Sequence, residues 1–154
     1  MKKLIFLCML LTFAVFPACA GENKKSIQNT QNSIQGENMK VIITIGTKTF
    51  TATLEDNETA KAFARQFPLT LNMSELNGNE YYNYLDSSLP AKSSNPKKIE
   101  TGDIKLYGTS CIVIFYKSFS TSYSYTTLGK ISDTTGLEAA LKASGGKVTF
   151  ALAE

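Results

Sequence analysis

Tyrosine is the residue type in this 154-residue chain that could form a binding site, and it occurs seven times. One group of tyrosines lies at residues 81–84 and another at 123–125, on either side of an apolar run at 111–116. A tyrosine combines a large apolar ring with a hydroxyl, so the two groups could line a groove for a ligand. The alternative is that half of them pack inside the domain and the rest are exposed. The predicted ligand-binding residues are Tyr81, Tyr84, Phe115, Tyr123 and Tyr125.

Catalytic and metal-binding chemistry has few candidates. The chain contains no His, which removes the commonest general base and metal ligand together with any Ser–His or Cys–His nucleophile. Cys111 has no cationic neighbour in sequence and is expected to pack as a buried thiol rather than to act as a nucleophile. Glu75 and Glu80 flank an Asn-Gly pair and are interpreted as part of a solvated turn rather than as a carboxylate pair for catalysis. We therefore predict no catalytic residue, no metal site and no cofactor.

The charge balance argues against a nucleic-acid partner. The 16 basic and 13 acidic residues give a formal net charge of +3, which is a small excess. Lys92, Lys97 and Lys98 lie in a Ser- and Pro-containing stretch without interleaved aromatic residues, as is typical of a mobile loop. No nucleic-acid binding is predicted.

Residues 1–18 are predicted to be a signal peptide. Lys2 and Lys3 form a positive start, and an apolar run of about 13 residues follows at 4–16. That length suits a signal peptide and falls short of the roughly 20 residues that a membrane-spanning helix needs. The pattern indicates export.

Cys19 is predicted to carry a lipid and to begin the mature chain. Residues 16–19, Phe-Pro-Ala-Cys, resemble a bacterial lipobox, although the first two positions depart from its usual pattern. Residues 19–38 are rich in Asn, Gln, Ser and Lys, and such a segment buries too little apolar surface to fold, so we expect a disordered polar tether. The alternative is cleavage by the A-x-A route, which makes 1–20 the signal peptide and releases a soluble periplasmic or secreted protein. We expect an envelope lipoprotein that contacts the membrane only through this N-terminal lipid.

Residues 39–154 are predicted to form the folded domain. Apolar and polar side chains alternate along 41–45 and 50–54, which predicts a hairpin whose threonine face meets solvent. The run at 111–116 is apolar throughout, as expected of a central strand covered on both faces. A closing strand is predicted at 147–153.

The first of two predicted helices follows the hairpin. Asp56 or Asn57 can cap it, and Pro68 ends it. Phe63 and Phe67 recur at helical spacing, so this face should pack on the sheet.

The second predicted helix lies before the closing strand. It is expected to begin with the capping box Thr135-x-x-Glu138 and to end at Gly145-Gly146. Many strands with two short helices indicate a mainly β (α+β) domain, either a small β-barrel or an α+β sandwich.

The order of these segments resembles the cyclophilin-like fold. The hairpin is followed by ETAKAFARQF, then by GDI and the apolar run, and finally by TLGKI, GLEAAL and KVTFAL. The resemblance covers nearly all of residues 40–152, and its most specific element is the Leu-Gly-Lys-Ile sequence at 128–131. It implies a small closed or nearly closed barrel of eight strands capped by two helices. The chain looks closer to bacterial cyclophilin-like domains of unassigned function than to the true prolyl isomerases.

The residues that the chain lacks, compared with the prolyl isomerases of this fold, also indicate its function. Prolyl isomerases of this fold carry Phe-His-Arg followed by Phe-Met-x-Gln-Gly-Gly, and the Arg polarises the prolyl amide. The corresponding residues 69–85 contain no Arg, no Gln and no double Gly, and Arg65 lies on the first helix and does not match. Without such a donor the electrostatic part of catalysis has no source. We predict a non-enzymatic binding module for a peptide, a small molecule or a partner protein; the alternative is a degenerate or altered peptidyl-prolyl isomerase.

Overall fold

The computed structural model describes residues 39–154, and the predicted signal peptide 1–18, Cys19 and the tether 19–38 lie outside these described residues. The described chain forms eleven strands and two short helices. The helices are α1 (Glu58–Ala64) and α2 (Leu137–Ala143). The strands are β1 (Lys40–Ile45), β2 (Lys48–Leu54), β3 (Leu69–Asn72), β4 (Ser74–Leu76), β5 (Glu80–Tyr84), β6 (Lys98–Ile99), β7 (Asp103–Tyr107), β8 (Cys111–Phe115), β9 (Phe119–Ser120), β10 (Thr126–Ile131) and β11 (Lys147–Leu152).

Strands β1 and β2 form the predicted hairpin. They pair antiparallel from Lys40 opposite Thr53 to Ile45 opposite Lys48. The apolar side chains of both strands except Ile42 are buried, whereas Thr49 is exposed. Because successive residues of a strand point to opposite faces, this alternation places one face of the hairpin on the core and the threonine face in solvent. The prediction for this segment is confirmed.

Nine of the strands form one sheet that curves into a nearly closed barrel, in the order β3-β11-β1-β2-β10-β7-β8-β5-β4. At the seam, the Asn83 side-chain amide of β5 donates a hydrogen bond of 2.7 Å to the Asn72 carbonyl of β3. The sheet has one strand more than the eight that the resemblance implies. The additional pairing is the short hairpin β4–β5, which turns through Asn77 and Gly78 at positive φ. The predicted class, a mainly β barrel with two short helices, is confirmed.

Strand β8 is covered on both faces, as its apolar sequence predicts. Ile112 and Ile114 point into the main core inside the barrel. Val113 and Phe115 point outward into a second apolar cluster, which includes Ile99 and is covered by the segment that carries the small β6–β9 sheet. The outer face of this part of the barrel is therefore buried beneath other segments of the chain. These segments form part of the candidate site.

Helix α1 begins where the sequence predicts. Asn57 is the N-cap, and its side-chain oxygen accepts a hydrogen bond of 2.8 Å from the Ala60 amide. Phe63 is fully buried, and its ring meets Phe67 and Phe150 edge-on at centroid distances of 4.9 Å and 5.2 Å. The helix thus closes one end of the barrel with an aromatic cluster.

Helix α2 corrects one prediction. The proposed capping box is wrong, because Gly136 is the N-cap with φ +78° and Thr135 lies one residue outside the helix. The Thr135 amide donates instead to the Asp133 carboxylate at 2.9 Å, and Glu138 pairs with Lys142 at 2.7 Å rather than reaching back to the cap. Neither helix within residues 39–154 is long and apolar enough to cross a membrane.

The predicted end of α2 is confirmed. The Gly146 amide donates to the Leu141 carbonyl at 3.1 Å and the Gly145 amide to the Lys142 carbonyl at 3.3 Å. These two bonds form a Schellman motif, which satisfies carbonyls that the helix end would otherwise leave unpaired.

Candidate ligand-binding site

A groove on the outside of the barrel takes its floor from strand β8. In the sheet, β8 lies between β5 and β7. Its outward residues at this end are the small Cys111 and Val113, which pair with Tyr84 and Tyr82 of β5. On its other side Cys111 pairs with Tyr107 of β7. Because these side chains are smaller than the tyrosines on the two neighbouring strands, the surface has a depression above them.

The walls of the groove are two groups of tyrosine rings. On β5, Tyr82 and Tyr84 meet edge-on with their centroids 6.0 Å apart. Across the floor, Tyr107 packs against Tyr123 at 6.1 Å and against Tyr125 at 5.7 Å. The walls stand two strand spacings apart, about 10 Å between backbones. That separation leaves room for one compact group between the rings.

The loop that carries the second wall is held in place from both sides. The backbones of Ser94 and Tyr125 exchange hydrogen bonds of 2.9 Å and 3.0 Å. Beneath them, the ring of the fully buried Phe115 contacts Tyr125 edge-on at 5.6 Å. The second wall is therefore anchored to the barrel, and it does not depend on the exposed Tyr123 for its position.

The resulting cavity, called the tyrosine pocket below, has a volume of about 280 Å³. Its rim at one end comes from the β4–β5 hairpin. Among the described residues, no lysine or arginine lines it. The lining residues are Leu76, Asn77, Glu80, Tyr82, Tyr84, Tyr107, Cys111, Val113, Tyr123 and Tyr125.

Three of the five predicted ligand-binding residues line this pocket, namely Tyr84, Tyr123 and Tyr125. Phe115 is fully buried in the layer beneath and supports the pocket without lining it. Tyr81 requires a correction. It points to the opposite face of β5, is 6% exposed, and packs against Tyr116 in the main core.

Two tyrosines of the pocket are missing from the predicted set. Tyr82 shares a face with Tyr84 because the two are separated by two positions on a strand, and this spacing is visible in the sequence. Tyr107 reaches the pocket through the pairing of β7 with β8, which no local pattern reveals.

Burial shifts the pKa values of several ionisable groups of the pocket toward their neutral forms. Burial raises the pKa of the Cys111 thiol to about 11, which agrees with the predicted packing role and leaves little thiolate at neutral pH. Burial likewise raises the pKa of Tyr125 to about 12. Glu80 is half-buried, and its pKa is raised by burial and by the charge of nearby Glu75.

Glu75 and Glu80 do not form a catalytic pair. They lie on opposite faces of the β4–β5 hairpin, since Glu75 pairs with Tyr81 and Glu80 with Leu76. Glu75 accepts hydrogen bonds from the Gly78 amide at 2.5 Å and from the Tyr116 hydroxyl at 3.1 Å. Its carboxylate therefore orders the turn, while that of Glu80 faces the pocket. Within residues 39–154, no cluster of three or more Cys, Asp or Glu side chains is arranged to hold a metal ion.

Comparison with models of protein families shows the family to which this chain belongs. A family model described as the cyclophilin-like family matches residues 43–153. The chain belongs to the cyclophilin-like family. No curated protein matches the chain. Among solved structures, this cyclophilin-like domain is similar to the solution structure of the hypothetical protein AF2241 from Archaeoglobus fulgidus, with 20% identity and a TM-score of 0.53 over 77% of this chain and 98% of that chain.

In this cyclophilin-like domain, the segment matched to the isomerase motif forms β3, β4 and β5 and lines part of the pocket. It contributes five of the lining residues: Leu76, Asn77, Glu80, Tyr82 and Tyr84. Arg65, the one arginine of the chain, is the exposed C-cap of α1 and is absent from the pocket lining. The pocket thus offers rings, hydroxyls and one carboxylate, without a guanidinium.

Proposed function

We propose that this chain is an exported, lipid-anchored cyclophilin-like domain that acts as a non-enzymatic binding module through the tyrosine pocket. One observation carries the binding role. Within residues 39–154, the exposed large apolar side chains are four, and all four line this pocket: Leu76 is 40%, Tyr84 61%, Tyr107 44% and Tyr123 61% exposed. Exposed apolar surface concentrated at one concave place is typical of an interaction site.

The size of the pocket bears on its ligand. A volume of about 280 Å³ lies just below the range of roughly 300–1,000 Å³ that is common for small-molecule sites. It suits one small molecule, or one side chain of a peptide or partner protein, rather than a dinucleotide-sized cofactor. Tyrosines suit this task because each ring supplies contact area with few rotatable bonds to immobilise.

The same lining argues against isomerase activity. Rotation about a prolyl bond is accelerated by a donor at the amide nitrogen, which binds the transition state more strongly than the ground state. Among the described lining residues the donors are neutral, namely tyrosine hydroxyls, the Cys111 thiol and the Asn77 amide, and no cation is present to stabilise a transition state as an arginine does. A pocket of this kind binds a proline segment equally well before and during rotation, which leaves the rate unchanged.

We expect binding without catalysis. The full chain, in a non-ionic detergent, is titrated with the set of N-acetyl amino-acid methylamides while the ring resonances of Tyr84, Tyr107 and Tyr123 are followed by NMR. At least one amide should shift these resonances and leave those of the threonine face of β2 unchanged. Tyr123→Ser should weaken that binding roughly three- to tenfold through the lost ring contact, while Tyr123→Phe, which keeps the ring, should retain most of it.

The alternative function, an altered peptidyl-prolyl isomerase, is examined with the same protein in a protease-coupled proline isomerisation assay. The uncatalysed reaction takes tens to hundreds of seconds, so even slow catalysis is visible above it. We expect no acceleration. A rate above background would establish the alternative, and its loss in Arg65→Ala would assign the donor to Arg65. A pocket that responds to none of the amides would contradict the binding role.

The export and lipid-anchoring part of the proposal is tested at Cys19. The several acyl chains of a bacterial lipoprotein anchor a protein firmly, so the wild-type chain should be found almost entirely in the membrane fraction, with a mature N-terminus at a lipid-modified Cys19. Cys19→Ser should leave an unprocessed precursor or a soluble product. Cys8→Ser, within the predicted signal peptide, is the matched control and should be processed normally. Mass spectrometry decides, and a mature chain that begins at Gly21 would contradict lipidation.

A further inference from the structure

The chemistry of the tyrosine pocket points to a particular class of ligand. We propose that the pocket binds an alkylated ammonium cation between its two tyrosine walls, with Glu80 as the counter-charge. This inference rests on the proposed function, since it assumes that the pocket binds a ligand, and it adds the charge and shape of that ligand.

The first argument is the density of aromatic rings. Five of the seven tyrosines in the chain line this one pocket. The faces of aromatic rings carry partial negative charge, and a cation placed against several of them is attracted more strongly as it loses water. Rings on both sides of a narrow floor can contact such a cation from opposite directions. Methylated ammonium groups suit this arrangement because they are weakly hydrated and have an apolar surface.

The second argument is the carboxylate of Glu80. It is half-buried at the pocket, and it pairs with no lysine or arginine among residues 39–154. Two other carboxylates of the described chain are each compensated by two lysines: Asp103 pairs with Lys105 and Lys130, and Glu138 pairs with Lys117 and Lys142. The like charge of Glu75 also acts on Glu80 and, with burial, raises its pKa. A positive ligand would offset both its burial and this repulsion.

Other ligand classes fit the lining less well. A neutral group, such as a proline ring or an aromatic side chain, would cover the carboxylate of Glu80 and remove it from water without a partner, which costs free energy. An anion would meet the charge of Glu80, with no lysine or arginine in the described lining to offset it. Only a cation uses both the rings and the carboxylate.

The test compares two molecules of the same shape. Choline carries a trimethylammonium group, and 3,3-dimethylbutan-1-ol replaces its nitrogen with carbon and is neutral. Each is titrated into the full chain in a non-ionic detergent while the rings of Tyr84, Tyr107 and Tyr123 and the methyls of Val113 are followed by NMR. We expect both to shift the pocket resonances and choline to bind about tenfold more tightly, as a partly desolvated cation–π contact with a carboxylate nearby predicts.

Glu80→Gln isolates the counter-charge. The variant should lower the affinity for choline and raise that for 3,3-dimethylbutan-1-ol, which no longer covers an unpaired carboxylate, so that the two affinities converge. It should be at least as stable as the wild type near neutral pH, because a carboxyl group whose pKa is raised in the folded state destabilises the fold when it is ionised. If the variant loses affinity for both molecules, Glu80 only shapes the pocket. That result would contradict its role as the counter-charge of the ligand.

A third arm identifies the source of the cation. The methylamides of N-acetyl-lysine and N-acetyl-trimethyllysine present the same cation as a polypeptide does, and tighter binding of the trimethyllysine compound than of choline would assign the site to a modified protein side chain. Tighter binding of choline would assign it to a free small molecule. If 3,3-dimethylbutan-1-ol binds as tightly as choline, the cation inference fails and the binding function stands. If no probe shifts any pocket resonance, both fail.

Discussion

Phe63→Ala should lower the free energy of unfolding by about 3–5 kcal/mol, the usual cost of truncating a fully buried aromatic side chain. Phe63 is 0% exposed and contacts the rings of Phe67 and Phe150 at the point where α1 closes the barrel. The substitution leaves a cavity between a short helix and a curved sheet, and both are too constrained to collapse into it. Urea denaturation curves measure the change through a lower midpoint at an unchanged slope.

Phe67→Ala is the matched control for this prediction. Phe67 belongs to the same aromatic cluster but is only partly buried, so its truncation should cost roughly half as much. Equal losses for the two variants would contradict the placement of Phe63 at the centre of the cluster. An unchanged midpoint for Phe63→Ala would show that α1 does not close the barrel as described.

Gly146→Ala should prevent stable folding, with a cost of more than about 4 kcal/mol. Gly146 ends the turn after α2 with φ +81°, and a Cβ atom there would overlap the carbonyl oxygen of Met73. The two backbones are tied at this point by a hydrogen bond of 2.8 Å from the Met73 amide to the Gly146 carbonyl. Because the obstacle is backbone, it cannot move aside as a flexible side chain would. The yield of soluble protein and the thermal midpoint measure the effect.

Gly145→Ala is the neighbouring control. Gly145 also has a positive φ, of +61°, but a Cβ atom there would meet nothing within 4 Å. The variant should pay only the conformational cost of an L-residue in the left-handed region, about 1–2 kcal/mol. Similar losses at the two positions would mean that backbone conformation alone, and not the close approach to Met73, makes the glycine necessary.

Local patterns were sufficient to predict the elements whose determinants lie within a few residues. The alternation in β1 and β2, the Asn57 cap and the Gly145-Gly146 end of α2 each depend on side chains or dihedral angles next to one another in the chain. The beginning of α2 shows where such patterns mislead. Thr135 and Glu138 have the spacing of a capping box, but the positive φ of Gly136 starts the helix one residue later.

Strands β3, β4 and β5 could not be predicted from local sequence patterns, and the cause differs from that at the start of α2. They are three to five residues long, so each offers too few alternating positions to establish a period of two. In β5, moreover, tyrosines occur on both faces, so that neither face is clearly apolar. Strands β3 and β5 exist through their pairings with β11 and β8, which join residues far apart in sequence, and β4 is added at the edge of β5.

The sequence by itself determined the cyclophilin-like fold, the aromatic character of the candidate site and the lack of a matching isomerase arginine. These depend on residue types and on their order along the chain. Only the tertiary structure decided which tyrosines form the pocket. Tyr81 and Tyr82 are adjacent and chemically identical, and the strand alternation requires one of them to point inward and the other outward without saying which. That choice is made by the pairing of β5 with β8, which turns Tyr81 to the core and brings Tyr82 and Tyr84 opposite Tyr107 across a floor of small side chains.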